Sequence, residues 1–375
     1  MRRATVSAMA NAHSHAFQID LRGAGERSVS GADDFWSWRT EMYRLAASHD
    51  PASMHAVGER VYGQMAAAGY GEVGEFHYVH HQPDGRPYED PNAIAIALAQ
   101  AALARGLEVV LLPAAYHRAG PGLEPNAGQL RFCDPDVETF LARVDGLRAW
   151  AQPHPGVSVG IAAHSVRAVP ADWIEAIAEY ADRHQLVRHV HACEQRRELA
   201  ECRAEHGCSP IELLERCNFL GRRTSVVHAI HVHERDIELL AASGSIVISC
   251  PTTEGNLGDG YLPALRYRDA GVRLAIGTDS QVRVDPFEEL RELETGARRE
   301  GQTRFALLAA ADGDLWGQIA ANGRASLGLH GPAAEIEVDL DHPDLAGVAG
   351  ADLPLALATC ASAGVVARAA RGARR

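Results

Sequence analysis

His13-Ser14-His15 lies near the start of the chain, His191-Ala192-Cys193-Glu194 near its middle, then His228, and Thr278-Asp279-Ser280 further on. Residues two apart on an extended strand share a face, so the imidazoles of His13 and His15 can address one ion. His191 and Asp279 would complete a set of three nitrogens and one oxygen with room for a water, as a catalytic Zn2+ site requires. Glu194 and His228 are then left uncoordinated and able to move protons. Each cluster alone is a weak signal. Their ordered combination is what points to metal-assisted hydrolysis.

These residues need a scaffold that gathers distant segments. Short apolar or β-branched runs predict strands near 4–12, 71–77, 108–114, 157–163, 187–192, 224–229, 245–250 and 272–278. Trp173, Ile174, Ile177 and Tyr180 or Ala181 form a helical stripe between two of them. Asp285-Pro286 followed by Glu288 and Glu289 reads as a helix start, with a capping carboxylate, proline in the first turn and acids at the positive end of the helix dipole. Alternating strands and helices define an α/β chain, and eight such repeats predict a (β/α)8 barrel of the TIM type. The candidate residues then fall at C-terminal strand ends, the face where barrels carry their chemistry. The barrel is expected to occupy residues 1–327 and a smaller C-terminal unit residues 328–375. In the latter, Ile336, Val338 and Leu340 alternate with acids as an edge strand would, and the Ala-rich end closes on a basic tail.

Composition narrows the chemistry. Among 375 residues the 36 basic side chains are all arginine, so a carbamylated-lysine bridge between two metals and a Schiff-base lysine are both excluded. One metal per subunit is the simpler expectation, Zn2+ first, with Fe2+ or another divalent ion as the alternatives. A net charge of −13 argues against nucleic acid and anionic membranes as partners. The seven cysteines form no CxxC pair and suit a reduced, cytoplasmic protein. Met1-Arg2-Arg3 is followed by too short and polar a run for a secretory leader, and the Ala-rich run over 93–112 is interrupted by Gln100, Arg105 and Glu108, so no membrane span is expected. His77, His80, His81, His184 and His233 read as ordinary core or surface histidines.

Several blocks extend the pattern beyond the metal-type residues: Asn11 to Gln18, Phe35-Trp36-Ser37-Trp38-Arg39, Glu75 to His81, Ala163 to Val169 and Cys250 to Gly260. With them the chain resembles the amidohydrolase superfamily, and within it the formimidoylglutamate deiminase branch, from about residue 10 to 327. The resemblance implies a (β/α)8 barrel with a small, truncated β-sandwich extension, since only twelve residues precede His13. It implies His13, His15, His191 and Asp279 as Zn2+ ligands and Glu194, His228 and Asp279 as proton-handling groups. Gln18, Arg39, Tyr78, His164 and Arg167 become the contacts to a small dicarboxylate amidine, N-formimidoyl-L-glutamate. Hydrolysis would yield N-formyl-L-glutamate and ammonia, and relatives suggest a homodimer by analogy. Deamination of guanine or an adenine nucleoside is the nearest alternative, because its metal set would look the same. A non-catalytic relative serving as a binding module is a further alternative, although such relatives lose ligands and none is missing here.

Overall fold

The computed structural model describes residues 2–26 and 35–371; Arg374 and Arg375 of the basic tail lie outside them. The strands are β1 (Arg3–Ser7), β2 (Met9–Ser14), β3 (Tyr70–His77), β4 (Glu108–Ala115), β5 (Val157–Val159), β6 (Ile161–Ser165), β7 (Arg188–Ala192), β8 (Thr224–His228), β9 (Ile246–Ser249), β10 (Arg273–Ile276), β11 (Glu335–Asp339) and β12 (Val366–Arg371). Neighbours in the large parallel sheet run β10-β9-β8-β7-β6-β4-β3-β2, with helices on the connections. The sheet closes on itself just beyond β10. There the amides of Thr278 and Asp279 both donate to the His13 carbonyl at 3.0 Å, and the His15 amide donates to the Asp279 carbonyl at 3.0 Å. This is the (β/α)8 barrel expected from the alternation of elements.

Burial explains the long hydrophobic runs. Every residue of β2 and β3 is buried, as required when side chains on both faces of a strand are covered by packed protein. The helix Ala171–His184 turns Trp173, Ile174, Ile177, Tyr180 and Ala181 inward, as its stripe predicts. Asp285 caps the helix Pro286–Gly301 by accepting from the amides of Phe287 and Glu288.

Three expectations need correction. The single strand expected over 4–12 is two. Residues of β1 alternate between exposed and half-buried and leave the barrel, whereas β2 is buried throughout; the break falls at Ala8, whose amide donates to the Ala334 carbonyl. The strand expected over 157–163 is also interrupted, at Gly160. A Cβ there would meet Leu112 Cδ2 at 2.7 Å and the Val187 carbonyl at 2.8 Å, so the chain crosses between its neighbours where only glycine fits. Finally, β11 is not an edge strand. It is the centre of a three-stranded antiparallel sheet, β1-β11-β12, that draws strands from both ends of the chain. On its outer face Glu337 bridges Arg3 at 2.7 Å and Arg368 at 3.3 Å on the flanking strands. Ile336 and Val338 face the core.

Among the described residues no helix is long and apolar enough to cross a membrane.

Candidate metal centre and substrate pocket

The barrel closure brings the first and last clusters together. His13 is the penultimate residue of β2 and His15 follows that strand, while the hydrogen bonds of residues 13, 15, 278 and 279 fix β2 against the turn after β10. Gly277 permits this approach: a Cβ at that position would lie 2.7 Å from the His13 carbonyl oxygen and 2.8 Å from its Cβ. His191 comes from β7 and His228 ends β8. Cys193, His228, Ala229 and Asp279 all have positive φ, between 45° and 70°. Left-handed backbone at non-glycine residues costs about 1–3 kcal/mol each, so the ends of these strands are held by their surroundings in conformations that turn side chains into the barrel mouth.

Four side chains converge there. His13 Nε2 lies 3.1 Å from His15 Nε2 and 3.0 Å from His191 Nε2. Asp279 Oδ1 lies 3.5 Å from His13 Nε2 and 3.2 Å from His15 Nε2. Metal–ligand bonds of about 2.0–2.1 Å at tetrahedral angles place neighbouring donors about 3.3 Å apart. The observed set has that spacing. Its tautomers also suit a metal: His15 Nδ1 bonds the Phe76 carbonyl and His191 Nδ1 the His164 carbonyl, each at 2.8 Å, so both Nδ1 atoms carry the proton and both Nε2 lone pairs face the centre. Burial, reinforced by crowding among the imidazoles, lowers the pKa of His13 and His191, keeping them neutral and able to donate a lone pair. A second possible grouping joins His228, Cys250 and Asp279. Burial pushes the Cys250 thiol up, which disfavours the thiolate a metal needs, and the three-imidazole set is the better fit.

Glu194 and His228 flank the cluster. His228 Nε2 is 3.6 Å from Glu194 Oε1 and 3.8 Å from Asp279 Oδ2, while its Nδ1 faces Glu254 Oε1 at 3.3 Å. Burial opposes a charge on this ring, yet Glu194, Glu254 and Asp279 together hold its pKa up at about 10 among the protein groups alone. The Glu194 carboxyl is raised by burial, with His228 pulling against this and Asp279 adding to it. Asp279 therefore spans two sets of neighbours, Oδ1 toward the imidazoles and Oδ2 toward His228.

Every residue named from the sequence, except fully buried His13, lines one cavity of about 50 Å³ beside this cluster. Tyr78 follows β3 and its hydroxyl accepts from Gln18 Nε2 at 2.8 Å. His164 is the penultimate residue of β6, with its ring against Tyr78 and Tyr116 at centroid distances of 5.2 and 4.7 Å. Arg39, from the helix Phe35–Ala47, and Arg167, just past β6, both hold their guanidinium groups over the Trp36 ring, at 4.4 and 5.3 Å from its centroid. Arg39 Nη1, Arg167 Nε and Gln18 Oε1 are buried with no hydrogen-bond partner among the described residues. Burial and the nearby Arg167 both lower the Arg39 pKa, the signature of two cations held close together.

Several neighbours escaped the sequence reading. Glu254 touches His228, Glu198 accepts the Glu194 amide at 3.2 Å, and Trp36 stacks with Arg39, Arg167 and Arg197. Tyr43 and Tyr116 share Gln129 as a donor at the pocket wall. Glu254 and Trp36 lay inside the quoted blocks, but nothing in their spacing marked a role. By contrast, His77, His80 and His81 are buried away from the cavity: His80 and His81 join Arg143 and Asp134 in a hydrogen-bonded network, as core histidines do.

Fold and centre together define a barrel built to hold a metal ion at its C-terminal mouth. The chain belongs to the amidohydrolase family, whose model matches residues 6–312. It is 39% identical over 305 residues to the formimidoylglutamate deiminase of Pseudomonas aeruginosa, covering 81% of this chain and 67% of that protein. A 5-methylthioadenosine/S-adenosylhomocysteine deaminase of Halobacterium salinarum is 31% identical over 188 residues, covering 48% of this chain but only 44% of that relative. Among solved structures, an amidohydrolase from Brucella melitensis superposes with a TM-score of 0.88 at 32% identity, covering 99% of this chain and 86% of its own.

Proposed function

We propose that this protein is a zinc-dependent iminohydrolase that converts N-formimidoyl-L-glutamate to N-formyl-L-glutamate and ammonia. The observation that carries the reading is a buried Arg167 and a half-buried Arg39, each with a buried nitrogen lacking a hydrogen-bond partner among the described residues, in the same cavity as a three-imidazole, one-carboxylate cluster. A substrate with two carboxylates needs two cationic partners at one end and a hydrolytic centre at the other. Guanidinium groups suit that task because their planar N–H pairs match a carboxylate in two-point contact. The identity to the Pseudomonas aeruginosa deiminase supports the same substrate.

In this reading His13, His15, His191 and Asp279 hold one Zn2+. A metal held there would polarise the substrate and make water acidic enough to attack near neutral pH. Asp279 would orient the attacking water and accept its proton, with His228 beside Asp279 Oδ2 to share it. Glu194, whose carboxyl burial keeps readier to hold a proton, delivers one to the departing nitrogen. Arg39 and Arg167, aided by Gln18, Tyr78 and His164, bind the carboxylates and hold the formimidoyl carbon toward the centre. We expect the enzyme to act in the cytoplasm as a homodimer.

Identity to the Halobacterium salinarum protein favours one rival, a deaminase acting on a purine nucleoside. The discriminating test measures ammonia release and product identity with N-formimidoyl-L-glutamate, guanine and S-adenosylhomocysteine as substrates. The expected result is ammonia with N-formyl-L-glutamate from the first alone; turnover of a purine in its place rules the proposal out. In the same assay Arg167→Met should lower kcat/KM about 10–100-fold, chiefly through KM. That range follows from losing charge-assisted hydrogen bonds of about 1.5–3 kcal/mol. An unchanged KM removes Arg167 from the carboxylate site.

A further inference from the structure

We infer that Glu254 is a positioning residue for His228, acting on the imidazole from the side opposite the metal cluster. Glu254 lies on the short helix Pro251–Leu257 that follows β9, and only 3% of it is exposed. Its carboxylate is fixed by the protein: Oε2 accepts from Ser249 Oγ at 2.8 Å and Oε1 from the Cys250 amide at 2.8 Å. Oε1 also faces His228 Nδ1 at 3.3 Å. A carboxylate can only accept at that contact, so it assigns the proton to Nδ1. Nε2 is then the nitrogen that faces Glu194 and Asp279.

Three features make this more than a chance buried pair. His228 has φ of +70°, so its backbone is already turned to project the ring between the two acids on one side and Glu254 on the other. Glu254 is tied to Ser249 and Cys250, the last residue of β9 and the one after it, and so reports the position of a barrel strand to the ring. The ring itself is 1% exposed, so its direction is set by the groups that touch it, and Glu254 is the one that meets Nδ1. Orientation of a histidine by a buried carboxylate is the general device by which one ring nitrogen is kept ready for proton transfer.

This inference rests on the role proposed for His228, and Glu254→Gln tests it apart from that role. The amide is nearly the same shape; its oxygen can still accept from Cys250 while its NH2 group meets the Ser249 hydroxyl, so bonds that only support the fold are retained. Only the charge facing Nδ1 is lost. In metal-loaded enzyme, kcat for N-formimidoyl-L-glutamate should fall about 10–100-fold, the usual cost of removing such a supporting partner. KM should stay within about threefold, with metal content and melting temperature unchanged. In the same samples without substrate, 15N-histidine labelling should give a downfield Nδ1–H proton for His228, assigned by its absence in His228→Asn, that moves upfield in the glutamine variant. A kcat within about twofold of the parent, or a His228 resonance that does not move, overturns the inference. Should the parent release no ammonia from this substrate, the proposed function fails, while the resonance still decides the link between Glu254 and His228.

Discussion

Asparagine in place of His228 is expected to cut turnover about 10²–10⁴-fold while the protein keeps its metal, the range that a positioned proton-transfer group contributes. The ring is outside the proposed ligand set: its Nε2 is 3.8 Å from Asp279 Oδ2, whereas Asp279 Oδ1 faces His13 and His15. Asparagine fills the space nearest the backbone but cannot take a proton from Asp279 or pass one toward Glu194. Metal content by atomic absorption should therefore equal that of the parent, and kcat rather than KM should carry the loss. The carboxylates grouped around this position make the variant informative about stability too. Glu194, Glu254 and Asp279 all raise the His228 pKa, so removing the imidazole leaves three acids without the ring they face. A near-parental turnover takes His228 out of the chemistry.

Chelation is expected to have the larger effect on the molecule as a whole. Stripping the metal should reduce ammonia release to background, and adding back one equivalent of zinc should restore it. The protein should also melt at lower temperature. A ligand present at a thousand times its dissociation constant stabilises the native state by about 4 kcal/mol. At the entropy of about 2.1 cal/mol/K per residue typical of unfolding, that corresponds to about 5 °C for a chain of this length. The geometry explains why loss of the ion is felt so far from any surface. His13 is 0% exposed, and its Nε2 faces those of His15 and His191 at 3.1 and 3.0 Å. Full activity in metal-free protein contradicts this account of the centre.

The barrel and the convergent cluster were legible because both rest on periodic or local signals. Short apolar or β-branched stretches mark the covered strands: Val190 in β7, Val226-Val227 in β8 and Leu274-Ala275-Ile276 in β10. His191, His228 and Asp279 come at or just past the ends of those runs, which is enough to place them at one mouth. What could not be read depends on close approach between distant segments. Nothing in the sequence near Ala8 shows that the chain leaves one sheet for another, because that step is set by pairing of β1 with β11 more than 300 residues away. The run from Ile336 to Leu340 read as an edge strand because the partners of Glu337, Arg3 and Arg368, belong to strands at opposite ends of the chain. Glu254 and Trp36 were hidden for the same reason. Each does its work through a single partner or ring face that only the folded chain supplies.

X-ray absorption at the metal K-edge of reconstituted protein tests the central claim most directly. One ion per chain, with three imidazole nitrogens at about 2.0–2.1 Å and the remaining scatterers oxygen, is the expected result. A sulfur ligand at about 2.3 Å would place the ion at Cys250 instead. That outcome, or failure to bind a stoichiometric ion at all, would contradict the assignment of His13, His15, His191 and Asp279 to one metal.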